Sequence, residues 1–329
     1  MNINKELLRT LLKELCEING ASGREENVRE YILDKIRDKC SCTILPSGCI
    51  VAEYKGRKTP EKKLMISAHM DEVGLIITGI NSDGTLAFNC VGGVEADAVI
   101  GRQVMTENGI YGSVGSKAVH NMTEDERKSP PKFDGLYIDI GADTKEEAEK
   151  LVGIGDCGVF VSDVVEFGDG MLKAKAIDDR VGCAVLVKLL EEDLPMDCTF
   201  VFTVQEEVGT RGAFGSAFSV TPEIALVLEG TTAADSPALD ESLQVCWPGK
   251  GPVLSWMDGG SIYDRGLFEL LRDLADRNGL PWQMKHYLAG GTDASAIQRT
   301  KSGVRVAGIS AAVRYLHAPS SVANISDME

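Results

Sequence analysis

Leu7, Leu8, Leu11, Leu15 and Ile18 recur at helical spacing, so an amphipathic helix opens the chain. Asn19 and Gly20 end it. Ser22 with Glu25 reads as a capping box for a second helix reaching about Ile36. A strand is expected near residues 50–54. Residues 64–68 form a nearly continuous apolar run, as in a buried parallel strand, ending at His69-Met70-Asp71-Glu72.

From Val73 to about Val165 the pattern changes to short β-like runs. Turn signals stand at Asp83-Gly84 and Asn108-Gly109, and helical periodicity is weak except around residues 144–151. This stretch reads as a small barrel or sandwich. Helix and strand then alternate again: a helix over 181–190, strands at 199–204 and 224–228, a helix over 267–277 and a strand over 304–313. An α/β domain made of residues 1–72 and 165–329, interrupted by a β module at 73–164, follows from that order. Ser326-Asp327-Met328-Glu329 reads as the first turn of a helix.

Composition narrows the partners. The 329 residues carry 34 Lys+Arg against 50 Asp+Glu, a net charge of −16. That disfavours nucleic acid and anionic membrane, which require basic patches. No apolar run approaches the roughly 20 residues of a spanning helix. The first eighteen residues carry Lys5, Arg9, Lys13, Glu14 and Glu17, unlike a signal peptide. Nine scattered cysteines fit a reduced cytoplasmic pool better than a disulfide frame. Cys40 and Cys42 alone lie close together, with no second pair spaced to complete a metal site.

The candidate chemistry sits at strand ends, where open α/β sheets bind ligands. His69 and Asp71 follow one strand, Gln205, Glu206 and Glu207 another, and Glu229 a third. His317 follows the last, and Asp178-Asp179 precede a helix. Singly each has an ordinary explanation as a surface acid, a cap or a hydrogen-bonded histidine. Together, two imidazoles and several carboxylates without cysteine form a donor set for a pair of divalent ions, Zn or Co first and Mn also.

These strings resemble the tetrahedral (TET-type) and glutamyl aminopeptidases, a family of dinuclear metallopeptidases. The matching motifs are Ala68-His69-Met70-Asp71-Glu72-Val73-Gly74, Ala176-Ile177-Asp178-Asp179-Arg180-Val181-Gly182, Gln205-Glu206-Glu207-Val208-Gly209 with Arg211-Gly212-Ala213, Gly290-Gly291-Thr292-Asp293-Ala294, and Arg314-Tyr315-Leu316-His317. They span essentially the whole chain. The resemblance implies a three-layer α/β/α catalytic core with an inserted PDZ-like β-barrel that makes dimers. Dimers would assemble into a tetrahedral dodecamer.

The resemblance also implies roles. His69 is a ligand of one ion, Asp178 bridges, and Glu207 and His317 hold the second ion. Glu229 stands where the family usually has Asp. Glu206 is the general base, and Asp71 orients His69. Arg211, Gly291, Thr292 and Asp293 lie near the substrate. Asp179 stands where Asn is usual, its charge offset by Arg180. The substrates implied are peptides with a free N-terminus.

The 109 residues from His69 to Asp178 hold the β module. In the related carboxypeptidases and deacylases the extra domain follows the Glu-Glu pair instead, so that gap favours the aminopeptidases. A dipeptidase is a further variant on the same core. A glycoside hydrolase needs two carboxylates flanking one bond. Glu206 and Glu207 would face opposite ways if they continued their strand, and aromatics make up only 6% of the chain, little for sugar stacking. A non-catalytic scaffold is the remaining alternative. It leaves Glu206 without a task, since structural sites are usually closed. His120 and His286 receive no ligand role.

Overall fold

The computed structural model describes residues 5–329. The opening helix, Lys5–Glu17, buries Leu8, Leu11, Leu12 and Leu15, and the next, Glu26–Ile36, buries Val28, Ile32 and Ile36. The start of the second helix departs from the sequence reading. Glu25 stands at the N-cap, but its side chain caps nothing. The Ser22 hydroxyl donates to Asp71 instead, and the Glu25 carboxylate accepts the Gly23 and Gln205 N–H groups. A capping box does form at Thr123 and Glu126, ahead of the helix Glu124–Lys128. That helix buries no residue, so apolar periodicity could not reveal it.

The large sheet has eleven strands. Its centre is four parallel strands in the order Cys198–Thr203, Leu64–His69, Ile224–Thr232 and Arg305–Arg314. Ile50–Tyr54 and Ser41–Ile44 extend one edge with antiparallel pairing. Ser321–Asn324, Met171–Ala174 and Val165–Phe167 extend the other. Side chains alternate across the central strands. Phe200 and Phe202 join the core beneath Lys5–Glu17, Glu26–Ile36 and Ile177–Leu190. Val201, between them, turns to the opposite face with Ala213, Ala217, Ala294 and Ile297. Helices therefore cover both faces, giving three layers.

Six strands outside this sheet close a barrel, in the order Gly74–Ile80, Leu86–Val91, Leu136–Asp139, Tyr111–Ser116, Gln103–Thr106 and Cys157–Phe160. It has its own core of Leu75, Ile77, Leu86, Phe88, Val104, Val114 and Ile138. The next strand, Val165–Phe167, already pairs within the large sheet. The chain thus leaves the sheet just after His69 and returns to it before Asp178.

Register then levels the polar residues. Thr203 pairs with His69, and Val227 pairs with Ser67. Two residues beyond Val227 is Glu229, so Glu229 and His69 come side by side on one face. At the end of the chain, Ile325–Asp327 is a 3-10 turn rather than the start of an α-helix. The Cys40 and Cys42 sulfurs stand 3.7 Å apart as free thiols, and neither belongs to a metal-competent group among the described residues. No described helix is long and apolar enough to cross a membrane.

Candidate metal centre

His69, at the end of its strand, is 1% exposed. Its Nε2 lies 3.4 Å from Asp178 Oδ1 and 3.5 Å from Glu229 Oε2. His317 approaches from the rim, with Nε2 at 3.2 Å from Glu207 Oε2 and 3.8 Å from Asp178 Oδ2. The two oxygens of Asp178 are therefore divided between two histidines, each of which has a second carboxylate beside it. Asp179 is completely buried and offers a further oxygen to the group around His69 and Glu229.

The donor set fits divalent ions on two grounds. Most of these N···O separations exceed the roughly 2.7–3.2 Å of a hydrogen bond. They match the edge of a tetrahedron whose centre lies about 2.0–2.1 Å from each corner, which is roughly 3.3–3.4 Å. Electrostatics gives the second ground. Burial, with the charge of Asp178, pushes Glu207 well above the carboxylate range, and burial with charges including Asp179, Glu206 and Asp178 does the same to Glu229. Glu206 is pushed up to about 8 by burial and by Asp293, Asp178 and Asp71. Burial alone would depress His69, yet Glu229, Asp178 and Asp71 outweigh it and raise the imidazole. Acids crowded in this way need protons or cations among them.

Partners on the chain orient the ligand atoms. His69 Nδ1 lies 3.0 Å from the Asp71 carbonyl oxygen and 3.4 Å from its carboxylate. The main chain of Asp71 therefore makes the closer contact. The carboxylate instead accepts the Glu206 and Glu207 N–H groups and the Ser22 hydroxyl. His317 Nδ1 faces the Gly93 carbonyl oxygen at 3.0 Å. Gly93 follows the barrel strand Leu86–Val91, so a barrel loop reaches the centre. Arg180 does not offset Asp179. Its guanidinium lies 3.3 Å from Glu72 and donates to the carbonyls of Met70, Leu15 and Ile18. Asp179 instead accepts the backbone N–H groups of His69 and Gly182.

Glu206 and Glu207 do not continue their strand. It ends at Thr203, and Gln205 takes φ 57°. The turn carries both acids to the centre, so opposite-face alternation does not separate them. Of the other sequence-selected residues, Arg211 opens the helix Arg211–Val220 with an exposed side chain. Gly291 is exposed, and the Thr292 hydroxyl meets that of Tyr263 at 3.2 Å. Asp293 is fully buried behind Glu229, to which its N–H donates, and one of its carboxylate oxygens has no partner among the described residues. Lys285 was not anticipated. Its ammonium donates to the Ala289 carbonyl, and burial lowers its pKa against the pull of Asp258, Glu229 and Asp178. His286 packs edge-on against Trp247, and His120 lies exposed in a short 3-10 turn, both apart from the centre.

Gly230 offers a direct test of this geometry. Its N–H donates to Asp178 Oδ1 at 3.1 Å, and an added Cβ would stand 2.8–2.9 Å from the Asp178 side chain. Gly230→Ala is expected to keep the fold and to weaken divalent-ion affinity about 10–100-fold, the usual effect of disturbing a ligand's support. Metal titration of the chelated variant checks this, and unchanged affinity would remove Asp178 from the ligand set.

The sequence profile described as M42 glutamyl aminopeptidase matches residues 48–329. The chain belongs to this family. A lysyl aminopeptidase of Pyrococcus furiosus is 30% identical, covering 97% of this chain and 93% of its own. An aminopeptidase of the archaeon Desulfurococcus kamchatkensis superposes with TM-score 0.93 at 35% identity, covering 98% and 92% of the two chains. The TET1 peptidase of Pyrococcus horikoshii, described as assembling into a tetrahedron or a large octahedral shell, gives TM-score 0.85 at 33% identity over 98% and 96%. A Thermotoga maritima protein named as an endoglucanase gives 0.79 at 36% identity over 96% and 92%. The family and these relatives make the protein a peptidase, and its mixed α/β fold with a closed barrel is theirs.

Proposed function

We propose that the protein is a metal-dependent aminopeptidase that removes N-terminal residues from peptides, with Glu206 as general base. The observation that carries this reading is Asp178, whose two oxygens face His69 and His317. His69 and Glu229 would complete one ion site, and Glu207 and His317 the other. Two divalent ions held there, Zn or Co first, would supply a water of lowered pKa and an electrophilic site for the scissile carbonyl oxygen.

The chain's own groups do the rest. Glu206 takes the proton of the attacking water on its carboxylate and returns it to the departing amine. Asp71 keeps Glu206 in place through its backbone and keeps His69 oriented through its carbonyl. The surplus of carboxylates favours a free α-ammonium, so a blocked N-terminus loses its anchor. The likeness to the tetrahedral peptidase supports a homo-oligomer, for which the barrel would supply the dimer contact of a larger shell. The reduced thiols accord with a cytoplasmic setting.

The test is an aminoacyl-p-nitroanilide panel (Leu, Met, Glu, Asp, Lys, Arg), with free and acetylated amines. It is run on chelated protein and after refilling with Co²⁺ or Zn²⁺. Cleavage of free-amine substrates only, and only with metal, is expected. A ranking led by Glu and Asp would bring Lys285 or Arg211 into the side-chain pocket. Cleavage of acetylated substrates would overturn exo-action. The neighbour named as an endoglucanase gives a second reading, checked by release of reducing ends from carboxymethylcellulose in the same preparation.

A further inference from the structure

The segment between the first two helices is fastened to the floor of the centre. Ala21 and Glu72 form a parallel bridge, and the Glu72 N–H donates to the Gly20 carbonyl at 2.9 Å. The Ser22 hydroxyl donates to Asp71 Oδ2 at 2.5 Å. Glu25, 3% exposed, accepts on Oε1 the N–H of Gly23 at 2.7 Å and that of Gln205 at 3.2 Å. Asp71 accepts the N–H of Glu206 at 3.0 Å and of Glu207 at 3.1 Å. Three successive backbone N–H groups of one turn thus end on two buried carboxylates. One of these comes from 180 residues away in the chain.

That turn needs holding. Gln205 sits at φ 57°, a left-handed conformation disfavoured for a residue with a Cβ. Relaxed to an extended conformation, residues 205–207 would continue the strand, and the side chains of Glu206 and Glu207 would point to opposite faces. The Glu25 carboxylate lies against the N–H of the strained residue itself. It stands at the helix N-cap position, yet its side chain bonds no N–H of that helix. Its acceptor is spent on the turn instead.

We propose that Glu25 is a positioning residue for the reaction, holding the Gln205 peptide left-handed so that the Glu206 carboxylate is aimed into the centre. The proposal rests on Glu206 being the general base, and it deepens that reading. Glu25 belongs to neither group of residues able to hold an ion and acts through the Gln205 peptide, so its effect belongs in kcat.

Two variants and two independent readouts test it. In Glu25→Ala, kcat is expected to fall about 10–100-fold, the scale of a small misplacement of a reacting group. KM should stay within about threefold, with metal content unchanged. Amide hydrogen exchange over residues 204–210 should quicken, while the strands Leu64–His69 and Ile224–Thr232 exchange as before. Glu25→Gln keeps an oxygen able to accept both N–H groups, and should restore kcat to within about fivefold. Unchanged exchange over 204–210 in Glu25→Ala overturns the proposal, as does a kcat loss that only tracks lost metal or that Gln does not rescue. If the wild-type protein cleaves no free-amine substrate, the aminopeptidase reading fails on its own. The exchange measurement then still decides whether Glu25 holds the turn.

Discussion

Glu206→Gln is expected to bind its full complement of divalent ions and to turn over free-amine substrates about 10²–10⁴-fold more slowly, the usual contribution of a positioned base. That loss corresponds to about 3–5 kcal/mol of transition-state stabilisation at roughly 1.36 kcal/mol per tenfold. The two halves of the expectation rest on different contacts. The imidazole Nε2 contacts at the centre run to Asp178, Glu207 and Glu229, and Glu206 is not among them. Gln is nearly isosteric and retains the backbone N–H on Asp71. What it lacks is a carboxylate able to take a proton. Burial pushes the Glu206 carboxyl up to about 8, and cations held beside it would draw that value down toward the working range of a base. Metal analysis together with single-turnover kinetics separates the two halves. Near-normal turnover would remove Glu206 from the role, and a variant that no longer binds metal would make it a ligand.

The sequence made the strand-end residues legible because the parallel sheet puts them there. His69, Glu207, Glu229 and His317 each stand at or just past the carboxyl end of an apolar run; register brings His69 and Glu229 level, and left-handed turns carry Glu207 and His317 to them. The two helices over 5–17 and 26–36 were equally plain, because each buries one stripe. What failed to show was whatever depends on distant partners. Ser22 and Glu25 carry the spacing of a capping box, yet tertiary hydrogen bonds to Asp71 and Gln205 outbid the local ones. The left-handed Gln205 has no marker, since Gln is not a residue that announces a turn. The Gly93 carbonyl that faces His317 comes from a loop after a barrel strand, and a backbone acceptor leaves no trace in residue type. The sequence sets Asp179 beside Arg180, but the guanidinium turns to Glu72 and to three carbonyls of the N-terminal layer and the strand end.

Asp178→Asn is the variant expected to do the most damage, because one side chain serves both halves of the centre. Asn keeps an oxygen, but loses the negative charge and the second acceptor that faces the other histidine. Bound metal is expected to fall from two ions to one or fewer, with activity down at least about 10³-fold, beyond the loss of a single base. Stability should respond chiefly in the metal-loaded state. In chelated protein Asp178 raises Glu206, Glu207 and Glu229 by like-charge repulsion but raises His69 by attraction, so removing its charge has opposing effects that leave Tm little changed. In metal-loaded protein the ions bind the folded state and stabilise it by RT ln(1 + [L]/Kd), which is about 4 kcal/mol at 1,000-fold saturation. Weaker binding shrinks that increment. The gap in Tm between loaded and chelated protein, measured by calorimetry, should therefore narrow from the loaded end. A variant that keeps two ions and the wild-type gap would overturn the bridging role, and with it the reason for placing two ions rather than one between His69 and His317.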